Sequence, residues 1–173
     1  NRELQISILV DPSKPRDILS DAKRFFKFDY PKHSFTRIEK AFTVVKRLYD
    51  GRFPGYLACA VEYHDYAHCV SVFAATSRLI DGCELAGLRL GPERAEEALV
   101  AALLHDTGYI REEGDTDGTG AQYTKVHVAR SAAFARREAE TFGLDADAAE
   151  RVARMIMATE LGLRWDGLAF QGE

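Results

Sequence analysis

Four of the five histidines in the chain sit in segments whose residue types suit metal binding and proton transfer. Tyr63-His64-Asp65-Tyr66-Ala67-His68 carries two imidazoles at i, i+4. Leu103-Leu104-His105-Asp106-Thr107-Gly108 carries a His-Asp doublet at the end of an apolar run. On a helix, the i, i+4 spacing puts His64 and His68 on one face, about one turn (~6 Å) apart. Ala95, Ala98, Leu99, Ala102 and Leu103 recur at helical spacing, and the next position on that face is Asp106. A carboxylate facing a core must be paired, hydrogen-bonded or metal-bound, because an isolated buried charge is strongly disfavoured. Imidazole nitrogens with a carboxylate form the ligand set of a first-row divalent ion. Either motif alone has a plainer alternative, a buried His capping a helix beside an Asp bonded to backbone amides.

The elements that must position these residues read as helices. Ser13 is expected to cap a helix with Pro15 in its first turn and Ile18, Leu19, Ala22, Phe25 and Phe26 on one face, ending at Asp29-Tyr30-Pro31. Thr36 and Glu39 have the spacing of a capping box for the next helix, which Gly51 closes. An apolar-rich stretch from about Tyr56 to Ile80 carries His64 and His68, and Pro92 opens the helix that runs to Asp106. An acidic, Gly-rich loop follows, Arg111 to Gly120, then a helix from about Thr124 to Phe142 ending at Gly143. Asp145 caps the last clear helix. Leu4, Ile6, Ile8 and Val10 alternate with period two, which suits a short strand or extended arm. Six or more helices and at most one short strand make an all-α, single orthogonally packed domain. Residues 1–12 read as an extended arm or the tail of an upstream segment, and 13–173 as the helical domain. Asn1 and the Gln171-Gly172-Glu173 end both read as cuts, so a C-terminal truncation is expected.

The sequence resembles the HD-domain metal-dependent phosphohydrolases over about Gly55 to Thr159. His105-Asp106 matches the doublet that names the family, and Tyr63 to Val72 looks like the Tyr-His-Asn-x-x-His-Ala motif of its cyclic-nucleotide phosphodiesterase branch. The resemblance implies that His68, His105 and Asp106 bind metal and that His64 is the general acid. It matches His127 to a further metal-binding His of the cyclic-di-nucleotide branch. One or two divalent ions are then expected, with Mn, Mg, Fe, Ni and Zn all admissible.

Two neutral imidazoles and one carboxylate leave a net positive ion with open positions, as catalysis requires. The reaction implied is attack of metal-bound hydroxide on the phosphorus of a phosphomonoester or phosphodiester, with Asp106 and His64 as catalytic residues. His127 opens the helix after the acidic loop, where it could complete a two-metal site or be a substrate-contacting or structural residue. Lys125 and Arg130 are the cations best placed to bind a substrate phosphate, although a solvated helix residue is the ordinary role of each. Asp65 lies off the histidine face and reads as solvent-facing. The family's late Asp has no clear counterpart: Asp145 and Asp147 read as caps, and Asp166 sits in an apparent loop. That ligand is expected beyond Glu173, or the site is incomplete. A non-catalytic HD-type docking module and an HD-fold di-iron oxygenase are the competing readings.

Composition sets the outer bounds. Hydrophobic residues make up 46% and charged residues 29%, ordinary for a globular domain. A net charge of −4 provides no global field for nucleic acid or anionic membrane, so a small phosphorylated, nucleotide-like substrate is the expected partner. The sequence leaves open a homo-oligomer or a fused neighbouring segment. Three Cys with no CxxC motif read as reduced thiols, and with no signal peptide or bilayer-length apolar run the expected location is cytoplasmic.

Overall fold

The computed structural model describes residues 11, 13–115 and 117–160. The period-two stretch before Asp11 lies outside the described residues, as does Asp166, expected in a loop. Those that are described form seven α-helices joined by turns and two short 3₁₀ segments, with no strand among them. The all-α reading holds. In chain order the helices are α1 (Pro15–Asp29), α2 (Thr36–Tyr49), α3 (Tyr66–Leu85), α4 (Pro92–Leu104), α5 (His127–Arg137), α6 (Ala139–Phe142) and α7 (Ala146–Met157). Among the described residues, no helix is long and apolar enough to cross a membrane.

Helix α4 is the hub, packing against α2, α3, α5 and α7. Its sequence explains the placement: Ala95, Leu99, Val100, Ala101, Ala102, Leu103 and Leu104 are all buried, so it is apolar nearly all round. Two buried carboxylates interrupt it. Glu96 pairs with Arg37 of α2, and Glu97 accepts a forked pair of bonds from Arg151 of α7, Nε to Oε2 at 2.9 Å and a terminal nitrogen to Oε1 at 2.6 Å. A buried carboxylate is tolerated only with such partners.

Several helix ends differ from the sequence expectation. Lys14, not Ser13, occupies the N-cap of α1, and Ser13 instead bonds to Asp11. Thr36 lies inside α2, and the capping box does not form. The N-cap is Phe35, whose ring is buried edge-on against Phe26, while Lys23 holds Glu39 at 2.8 Å. Core packing of an aromatic residue has overridden the local capping signal. The single helix expected from Thr124 to Phe142 begins at His127 and breaks at Glu138, giving α5 and the one-turn α6. Gly51 and Gly143 do end their helices, each at positive φ (68° and 70°), where a side chain would be strained.

Candidate metal centre

The centre forms where the start of α3, the end of α4 and the start of α5 converge. Asp65 is the N-cap of α3, its carboxylate accepting the His68 backbone N–H at 2.8 Å. This corrects two expectations. Asp65 is a structural cap, and His64 precedes the helix, so it does not share a helix face with His68. Their ring centroids nevertheless lie 5.4 Å apart, because the loop before Asp65 turns His64 back toward the helix start. That loop is tied down by backbone bonds, Leu57 N–H to the Arg111 carbonyl and Glu113 N–H to the Gly55 carbonyl.

The last turn of α4 delivers the doublet. The helix closes at Leu104 with His105 at its C-cap, still in the helical region, and Asp106 lies one residue beyond. The burial expected of it holds, at 3% exposed. Around this carboxylate stand four imidazoles. His64 Nδ1 is 2.7 Å from Oδ2, His105 Nε2 3.1 Å and His68 Nε2 3.4 Å from the same oxygen, and His127 Nε2 is 3.6 Å from Oδ1. All four rings keep part of their surface open, so the cluster is reachable from outside. His64, His68 and Asp106 each offer a ligand atom, and these atoms lie within 4.8 Å of one another.

Two of the rings are oriented from behind. His105 Nδ1 donates to the Ala102 carbonyl at 2.9 Å, and His127 Nδ1 to the Thr124 carbonyl at 2.7 Å. With Nδ1–H held by a carbonyl, Nε2 is the nitrogen each ring turns toward Asp106: protonated, it can donate to the carboxylate, and deprotonated it offers the lone pair a metal ligand needs. Burial alone would raise the Asp106 pKa, but the bonds and charge of His105 and then His64 outweigh it and hold the carboxyl at about 2. Burial lowers the His68 pKa, which favours its neutral form. For His105 burial also acts downward, yet the bond to Asp106 prevails and the pKa is raised. An ionised carboxylate among imidazoles is a donor set that fits a divalent ion.

Helix α5 locks onto the turn after the doublet. Gly108 N–H donates to Ser131 Oγ at 2.8 Å, and Arg130 Nε donates to the Gly108 carbonyl at 2.8 Å. A further Arg130 nitrogen reaches the Ile110 carbonyl at 3.3 Å, while the guanidinium lies 3.7 Å from the Tyr123 ring centroid. Two of the Arg130 nitrogens are thus engaged by backbone carbonyls, and the residue fastens the turn. Lys125 is exposed just before α5. Asp145 caps α7 through the Ala148 N–H at 2.8 Å, and Asp147 is exposed. Asp106 is the one carboxylate that the described residues bring to the cluster.

Gly108 is fixed by contact rather than by backbone angle, since a Cβ there would collide with the His127 carbonyl. Gly108→Ala should accordingly push α5 off the doublet and cost about 1–3 kcal/mol, the usual range for overpacking. Thermal denaturation checks this, and an unchanged melting temperature would contradict the tight approach. Ser131 and Tyr109 were invisible as site residues in the sequence. Ser131 is a small polar residue on an apolar face, and Tyr109 carries no signal beyond lying three residues after Asp106.

A family model described as HD domain matches residues 65–167, more than half of the chain. The chain belongs to the HD-domain family. The HD match takes in His68, His105, Asp106 and His127 and begins one residue after His64, whose membership of the centre rests on geometry. No curated protein and no solved structure matches this HD-domain chain.

Proposed function

We propose that this HD-domain protein is a divalent-metal-dependent phosphohydrolase acting on a phosphomonoester or phosphodiester of a small, nucleotide-like substrate. The observation that carries the reading is Asp106, one buried carboxylate met by ring nitrogens of His64, His68, His105 and His127 within 3.6 Å. His68, His105 and Asp106 would hold the ion, with His127 a further ligand or part of a second site. When bound, a divalent ion supplies Lewis acidity, lowering the pKa of water and drawing charge from a phosphoryl oxygen.

The chain's own groups supply orientation and the proton. The carbonyls of Ala102 and Thr124 keep His105 and His127 in the ligating tautomer. His64 has its Nδ1 on Asp106, so a carboxylate orients the ring and Nε2 is the atom free to hold a proton for the leaving oxygen. HD-domain proteins are generally metal-dependent phosphohydrolases, which supports the assignment. The test strips the protein of metal and reloads it separately with Mn, Mg, Fe, Ni or Zn. Elemental analysis and hydrolysis of nitrophenyl phosphomonoesters, phosphodiesters and nucleotides then follow. One or two ions per chain with ion-dependent hydrolysis is expected. Metal uptake without hydrolysis would leave a docking module, and a visible iron band with oxygen consumption would mark an oxygenase.

A further inference from the structure

Tyr109 is 2% exposed and lies against two of the four imidazoles. Its ring centroid is 4.4 Å from that of His64 with the planes 19° apart, and 4.3 Å from that of His127 with the planes 20° apart. The His64 and His127 centroids are only 6.0 Å from each other. Tyr109 is thus stacked against both imidazoles and forms a floor that supports them. Their inward nitrogens meet different oxygens of one carboxylate, His64 at Oδ2 and His127 at Oδ1.

The floor is itself rigid. On one side of Tyr109, Gly108 is bonded through both its N–H and its carbonyl to α5. On the other, the Ile110 carbonyl accepts from Arg130. The backbone that carries the tyrosine is thus fixed to the helix that carries His127. His64 needs such a support more than its neighbours do. His105 and His127 each have a carbonyl behind Nδ1, whereas the Nδ1 of His64 is spent on Asp106 itself.

We infer that Tyr109 is a positioning residue of the metal centre, a flat aromatic floor that sets the ring plane of His64 and its spacing from His127. The role follows from the face of the ring and not from the hydroxyl. It rests on the proposed metal-dependent reading only for its consequence in the loaded protein; the effect on the imidazoles is testable without metal.

The first arm is nuclear magnetic resonance on the metal-free wild-type protein. Ring-current shifts should move the Cε1 protons of His64 and His127 upfield, with nuclear Overhauser contacts to the Tyr109 ring. Their absence overturns the inference. The second arm compares Tyr109→Phe, which keeps the floor, with Tyr109→Met and Tyr109→Leu, which fill volume without a flat face. Tyr109→Phe should retain metal affinity and a single His64 tautomer in long-range ¹H–¹⁵N spectra. The two aliphatic variants should lose that single tautomer and bind Mn or Zn about 10–100-fold more weakly, the range for groups that orient metal ligands. Folded aliphatic variants with wild-type His64 spectra and metal affinity would overturn the role, as would a Tyr109→Phe protein as impaired as they are. If the wild type neither binds metal nor hydrolyses phosphoesters, the proposed function fails, while the spectra still decide whether Tyr109 positions the rings.

Discussion

Asp106→Ala is expected to abolish metal retention while most of the helical signal survives. The carboxylate is the common partner of four imidazoles, and His64 and His105 draw closest to it, at 2.7 and 3.1 Å. Removing it takes away the single negative charge of the cluster, leaving neutral rings that must hold a dication by lone pairs alone. Loss of a group that merely orients a ligand weakens metal binding by about 10–100-fold, so loss of this direct ligand should exceed that range. Hydrolysis should fall to background with it. The fold should tolerate the change better, since α4 is anchored by its apolar faces and by Glu96 and Glu97, not by Asp106. A donor left without its acceptor costs about 1–3 kcal/mol, which a lowered melting temperature would register. Full metal occupancy of the Asp106→Ala protein by elemental analysis would sink the assignment.

The second large effect separates His64 from His68. His68→Ala should lose metal and activity together, because a ligand is gone. His64→Ala should keep its metal and lose rate, by the about 10²–10⁴-fold that a general acid contributes. That loss should shrink for nitrophenyl esters, whose leaving group needs little protonation. The geometry makes this a real contest, since the His64 nitrogen also lies within 4.8 Å of the ligand atoms of His68 and Asp106. Metal content measured beside activity on natural-like and activated phosphodiesters decides it. Metal lost from His64→Ala and kept in His68→Ala would mean the two roles are exchanged.

The readable part of the site was the part held by local chemistry. A His-Asp doublet closing an apolar helix shows in sequence because burial makes its carboxylate anomalous, and Asp106 is indeed buried. The four histidines that share it all stand in segments whose residue types suit metal binding. What failed was inference across a helix boundary. The i, i+4 spacing of His64 and His68 suggests a single helix, although Asp65 between them is a good N-cap residue and does cap α3. The fastening role of Arg130 is hidden because a cation's charge is visible in sequence while the carbonyls it binds are supplied by a turn some twenty residues away. Tyr109 escaped for the same reason, its stacking partners arriving from two other segments. At Phe35 and Thr36 the local capping signal was present and lost to aromatic packing.

The two carboxylates buried on α4 bear on how accurately the doublet is placed. A helix wrapped in Ala, Leu and Val meets a nearly uniform surface, and grease alone discriminates weakly between neighbouring settings along its axis. Slipping one residue moves a helix 1.5 Å and turns it by about 100°. That step would tear the forked Arg151 bonds from Glu97 and carry Glu96 away from Arg37. The ion pairs act as index pins: they select one setting of α4, and with it the spot at which His105 and Asp106 emerge from its end.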